Sequence, residues 1–334
     1  MQKIKNPIGI TLIYIGLIAY ALFSLGPVLW TFLQSLKTPR QANARTPLIF
    51  FDATLDNYTD LWLNSVPENP GAVALVLVGI IIVLVLLGMF ANRLPVANSV
   101  IYAAIVAASL LLLWNIPRFV HTAEFYDYFL NTIIVTVGTV TISMTIGCLA
   151  AYGLARYAGL AGVIILVAAL GFRSLPSLAY VLPYFFLGRR TGLFDSYALL
   201  IITMVAINQP FTIWMLRSFF MTIPKEIEES AMVDGASRLT AFIRVIIPIM
   251  WPGIISTGLF SILLAYSEFL MVRILTQSKW TLSVAIARFT GGEDPGHLTL
   301  AAAAAVSATL PIVIVVLFFQ KHLLAGLTAG AVKG

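Results

Sequence analysis

The sequence predicts an all-α protein, a polytopic membrane helix bundle of about eight transmembrane helices. Three observations carry this. Hydrophobic residues make up 60% of the chain and charged residues only 10%, too little charge to cover a soluble domain of this length. The apolar residues are gathered into runs long enough to cross a hydrocarbon core of about 30 Å. Four of the fourteen acids crowd into one window between two such runs, Glu226, Glu228, Glu229 and Asp234. Each would cost roughly 2.5–3.5 kcal/mol at a bilayer centre, so all four are expected in water.

Lys3 and Lys5 precede an apolar run over 8–32. It is long for the core of a signal peptide and no small-residue cleavage site follows, so it reads as a first membrane helix kept in the mature protein. A polar segment, 34–70, comes next. Runs over 72–90 and 99–114 flank the turn Ala91-Asn92-Arg93-Leu94-Pro95 and read as a helical hairpin. Lipid-facing padding is enough to account for it.

The span opening at Phe129 ends at Arg156. Leu160 to Leu187 contains Arg173, Pro176 and Pro183. Prolines here imply a kinked or broken helix, tolerated where neighbours or water satisfy the freed carbonyls. Arg173 is expensive at membrane depth and should face the interior and find a partner. It reads as a pathway residue, as a structural arginine bonded to loosened carbonyls, or as one snorkelling to an interface. Gly188 to Ser196 reads as a turn and Tyr197 to Phe220 as the next span. Asn208 and Gln209 on that span suit hydrogen bonds between helices, with substrate contact the sharper alternative.

Ile249 to Leu270 spans again. Glu268 near its far end either pairs with Arg273, lines a cavity or sits at an interface. Gln277 to Thr299 reads as a polar loop, whose adjacent acids Glu293 and Asp294 lack the alternating ligand spacing of a calcium loop. The last span, Leu300 to Phe319, opens on Ala301 to Ala305, small residues that allow close helix approach. The end, Gly326 to Gly334, reads as a flexible Gly/Ala tail.

The acid-rich window, residues 221–248, has its own logic. Thr222 suits a helix cap and Pro224 a first turn. Glu226, Glu228 and Glu229 fall near the positive end of that helix. Ile223, Ile227 and Ala231 recur at i, i+4 and i+8 as one apolar stripe. Gly235 stops the helix by taking positive φ, and Ser237 caps a second one. A short amphipathic helix of this kind suits a partner's groove, although an ordinary solvated loop helix has the same pattern.

Glu229-Ser230-Ala231, then Gly235, then Val245-Ile246-Ile247-Pro248 resembles the "EAA…G…I-x-L-P" signature of permease subunits of binding-protein-dependent ABC importers. Ser230 replaces the first alanine, and Val245 and Ile247 stand where Ile and Leu are usual. Ser35-Leu36-Lys37, Leu55-Asp56-Asn57-Tyr58, Asn131-Thr132, Ala150 to Arg156 and Gly192 to Asp195 also look like this family. The tail is similar to that of the smaller maltose-type permease subunit. The resemblance implies a permease core of about six helices, with the hairpin as an insertion. The domains would be 1–64, an inserted 65–128, and a core over 129–334 carrying a tail over 324–334. It implies that 221–248 is a coupling loop docking on a cytoplasmic ATPase dimer, through Ile227, Glu229, Ser230, Ala231, Asp234, Gly235 and Pro248. It further implies a second permease subunit in a heterodimer, an extracytoplasmic solute-binding protein, and a carbohydrate solute. Arg173, Asn208, Gln209 and Glu268 are then the candidate pathway residues. Other solutes fit the signature too.

Lys and Arg residues divide almost evenly between the two sides, so charge bias does not orient the chain. The resemblance does, implying a bacterial inner membrane with both termini in the cytoplasm. The formal charge of +6 suits a membrane surface; its scattered basic residues do not suggest nucleic acid. The single Cys148 cannot form an internal disulfide. His121, His297 and His322 show no metal-ligand spacing. No phosphate-binding G-x-x-x-x-G-K-[ST] loop, nucleophile elbow or H-E-x-x-H occurs. The chain is thus expected not to be an enzyme and to need no cofactor. An autonomous secondary transporter, the other class, would predict symmetric halves, and none are visible.

Overall fold

The computed structural model describes residues 7–63, 107–109, 111–118, 120–157, 159–290 and 296–331. Most of the hairpin expected over 65–128 lies outside them. The described residues form no β-sheet, only an isolated bridge between Leu63 and Thr122. The helices are α1 (Pro7–Ser35), α2 (Pro39–Ala42), α3 (Asp56–Trp62), α4 (Glu124–Arg156), α5 (Gly159–Arg173), α6 (Ser177–Thr191), α7 (Tyr197–Phe220) and α8 (Lys225–Val233). Then come α9 (Arg238–Ile249), α10 (Trp251–Tyr266), α11 (Leu270–Leu275), α12 (Leu282–Thr290) and α13 (Gly296–Ala331). Among these residues 4 helices are long and apolar enough to cross a membrane, and up to 6 spans result if each bent pair counts as one. They coincide with the spans expected outside the hairpin.

The chain divides into two compact units: Met1–Asp127 with Ile286–Ser307, and Tyr128–Ala285 with Ala308–Gly334. In the first unit, Asn57 Nδ2 donates to the carbonyls of Ser35 (2.9 Å) and Lys37 (2.8 Å), tying α3 to the end of α1. Lys37 is buried, its Nζ 4.6 Å from the Trp30 ring centre. The ring quadrupole attracts a cation there and offsets part of the hydration lost on burial. Trp62 stacks edge-on to Phe125, and its Nε1 donates to Ser307 Oγ at 3.1 Å. Ala301 to Ala304 are buried, in keeping with small residues at a close-packed face.

The core of the second unit is apolar: Val135, Val181, Leu199, Leu200, Met204, Ala265, Met271, Val272, Leu275 and Val284. Its helices break where the sequence removes donors. α5 and α6 meet at 92°, with Pro176 extended at the junction (φ −54°, ψ 138°). Pro183, by contrast, sits within α6. α6 approaches α7 so closely that a Cβ on Gly188 would lie 2.4 Å from Leu199 Cδ2.

Three expectations about turns and ends need correcting. Gly188 to Thr191 is helical; the turn begins at Gly192, which has φ 73°. Residues 282–290 form α12 rather than part of a polar loop: Leu282, Val284 and Ala285 are buried, and interleaved polar residues hid that apolar face. The Gly/Ala tail is helical as far as Ala331.

The short turn at 192–196 is fixed by Asp195, a left-handed residue with φ 62°. Its carboxylate accepts from the backbone N–H of Gln277 (2.8 Å) and Ser278 (2.9 Å), from Ser278 Oγ (2.8 Å) and from Thr276 Oγ1. Burial alone would raise its pKa, but these bonds outweigh it and hold the carboxyl well below the usual carboxylate range.

Candidate functional site

The acid-rich window folds as a helix, a tight turn and a second helix. Pro224 is extended (φ −57°, ψ 141°) and α8 starts immediately after it. Thr222 does not cap the helix; its Oγ1 donates back to the Phe219 carbonyl at 2.7 Å. At the other end Gly235 takes φ 91°. Its N–H reaches the Met232 carbonyl (3.1 Å) and that of Ala236 reaches Ala231 (3.0 Å), the paired bonds of a Schellman stop. Nothing lies within 4 Å of a Cβ built on Gly235, so the glycine is needed for its backbone angle and not for space. Ser237 caps the next helix, its Oγ accepting from Thr240 N at 3.2 Å.

One face of α8 is turned inward. Ile223 is buried, and Ile227 packs partly buried against the same cluster of Ala151, Leu216, Phe220, Phe242, Ile246 and Met250. Glu228 overturns the expectation of four solvated acids. Its Oε2 accepts from Arg156 Nε at 3.1 Å, with the two side chains 5% and 7% exposed. Its Oε1 accepts from Tyr152 OH. Arg156 Nη1 also donates to the Ile223 carbonyl at 3.2 Å. Tyr152 and Arg156 are one turn apart on α4 and so share a face. The Tyr152 ring lies 4.6 Å from Phe242 and 5.8 Å from Phe220. Sequence reasoning missed this group because its members are far apart in the chain; the i, i+4 spacing of Tyr152 and Arg156 was the available signal.

The other face is open. Glu226, Glu229, Ser230, Asp234, Gly235 and Pro248 are exposed and Ala231 is half-buried. Glu229 forms no ion pair among the described residues. Two apolar side chains stand out in this polar setting, Val233 at 87% and Leu239 at 61% exposure. Neither was singled out from the sequence.

The connection from this element into the membrane is jointed. Phe242–Ile246 is π-helical, and Arg238–Ile249 meets Trp251–Tyr266 at 76°. Pro248 and Pro252 each remove a backbone donor there, and π turns of this kind gather at functional positions.

The four candidate pathway residues separate into two places. Arg173 Nη1 donates to the Ile207 carbonyl (3.3 Å) and to Asn208 Oδ1 (3.4 Å), with its guanidinium 5.4 Å from the Phe211 ring. Asn208 and Glu268 line one small pocket with Met204, Ile207, Leu264 and Met271. Glu268 does not pair with Arg273. It sits in the break between α10 and α11 and accepts from Met271 N at 3.2 Å, while Arg273 stacks 5.2 Å from Trp280. Gln209 faces elsewhere, its Nε2 donating to the Ser143 carbonyl at 3.3 Å. No group of three or more His, Cys, Asp or Glu suited to a metal occurs among the described residues.

Residues 143–328 match the family described as binding-protein-dependent transport system inner membrane component. The chain is 37% identical over 218 residues to a trehalose transport system permease protein of Mycobacterium tuberculosis, covering 62% of this chain and 78% of that protein. It is 35% identical over 217 residues to a trehalose/maltose transport system permease protein of Thermococcus litoralis, covering 64% and 77%. Its fold is similar to that of a bacterial ABC transporter involved in import of the acidic polysaccharide alginate. There the TM-score is 0.67 at 18% identity, covering 96% of this chain and 98% of that one.

Proposed function

The chain belongs to the family of inner membrane components of binding-protein-dependent transport systems, and on that premise we propose that it forms the translocation pathway for a carbohydrate and couples passage to ATP hydrolysis on a separate cytoplasmic ATPase dimer. It works beside a second permease subunit and receives solute from an extracytoplasmic binding protein. A carbohydrate is favoured because relatives covering most of their own length are named for trehalose and maltose.

The observation that carries the coupling role is the two-faced character of α8. Its inner face is fastened by a buried ion pair, and its outer face offers Glu229, Val233 and Asp234. Glu229 is the anion for a basic ATPase residue. Val233 is the apolar anchor, and burying a side chain of that size contributes roughly 1.5–3 kcal/mol before association costs. Ile227, which packs inward, supports the helix instead of meeting the partner. With the ATPase in the cytosol, α8 lies on the cytosolic side, as do both termini. Arg173, Asn208 and Glu268 serve the pathway, and Gln209 joins two helices.

Gly235→Pro tests this. The substitution imposes φ near −65° where +91° is needed. Uptake of labelled trehalose or maltose by cells holding the complete transporter should be abolished while membrane insertion stays intact. Normal uptake would overturn the coupling role.

A further inference from the structure

We infer that the Tyr152–Arg156–Glu228 group is the fastening through which movement of α8 enters the membrane spans, with Tyr152 and Arg156 acting as positioning residues on α4. This rests on the coupling role proposed above. α8 has 9 residues, and a helix that short is not stable in water by itself. It therefore moves with whatever holds it. On the α4 side, both carboxylate oxygens of Glu228 are engaged, one by Arg156 and one by Tyr152. Arg156 additionally holds the carbonyl of Ile223, just ahead of α8. Separating such a pair strands a buried charge on each side, so the attachment resists being pulled open. On the α10 side stand the turn at Gly235, the π-helical stretch and the 76° bend. Breaks in the regular i→i−4 ladder are where helices bend.

The mechanical consequence is asymmetric. α8 and the end of α4 travel as one piece, together with the end of α7, whose Leu216 and Phe220 pack into the same cluster. Phe242, Ile246 and Met250 belong to that cluster too, so the deformation is taken up at the 76° bend that follows, where Arg238–Ile249 gives way to Trp251–Tyr266. A motor stroke delivered to α8 thus turns α4 directly and reaches α10 only through a hinge. Glu228, then, is not one more acid for the partner but the anchor that turns docking into motion.

The test counts ATP hydrolysed and solute accumulated per assembled complex, with the full transporter in liposomes. For Glu228→Gln, solute moved per ATP should fall about tenfold while hydrolysis stays within about twofold, because residues along a coupling route alter coupling without touching either ligand. Tyr152→Phe should lower the same ratio by less. The double variant should be no worse than Glu228→Gln alone, since the tyrosine acts through that carboxylate. An unchanged ratio in both single variants, or equal proportional losses of uptake and hydrolysis, overturns the inference. If Glu228→Gln fails to assemble, Tyr152→Phe, which loses one hydroxyl, decides. Failure of the underlying docking role looks different: the ATPase dimer would stay attached to Val233→Asp in a pull-down, whatever the ratio.

Discussion

At the scale of single residues, carboxylates in this chain differ in role because their surroundings differ. Glu228 is buried against an arginine, Glu229, the next residue, is open, and Asp195 is wrapped in four hydrogen bonds. Asp195 gives a pH prediction with a definite sign. Its folded pKa is depressed, so its stabilisation is fully present above the ordinary carboxylate range and lost as pH falls through the folded value. The melting temperature of the detergent-solubilised protein should hold from neutral pH to about 5 and drop below about 4. Asp195→Asn should flatten that acid-side drop, since asparagine tolerates the left-handed backbone but carries no charge to lose. Gly188 gives a steric prediction: Gly188→Val should lower the melting temperature by several degrees, because the added methyls meet Leu199 across the α6–α7 contact.

Elements were legible where one local pattern decides them. Apolar run length located the spans around α1, α4, α7 and α13, and the prolines signalled a break in the span of α5 and α6, which falls at Pro176 and not at Pro183. Gly235 located the end of α8 because only a left-handed residue closes the turn there. Elements set by distant partners were not legible. The burial of Glu228 depends on groups 72 and 76 residues earlier; read locally, an acid near a helix N-terminus belongs in water. α12 was concealed because its buried positions, Leu282, Val284 and Ala285, are few and stand among Thr281, Ser283 and Arg288, so local polarity outweighed a helical period. It is checked by Val284→Asp, which puts a charge into the core of the second unit. That variant should lose about 3 kcal/mol or fail to accumulate in the membrane, whereas Ala287→Asp, on a less buried position, should be tolerated better.

For the molecule as a whole, the family assignment and the fold agree that this chain is one component of a larger machine. At the two ends of the 24-residue α7, about 36 Å apart, stand α8 and the turn held by Asp195. The purified chain alone should hydrolyse no ATP above the no-protein rate in a phosphate-release assay. Adding the partner ATPase should restore solute-stimulated turnover only when the second permease subunit and the binding protein are present. Turnover by the isolated chain would place the motor in the wrong polypeptide.

Glu228 and Glu229 also respond differently to dissolved ions. Mobile ions screen charges that water reaches, and at 1 M salt that screening acts within about 3 Å. The Arg156–Glu228 pair excludes them, whereas any contact made by Glu229 at the rim does not. Raising ionic strength should therefore loosen the grip of the motor on this subunit while leaving its internal gearing intact, and the stalled transporter should recover fully on dilution.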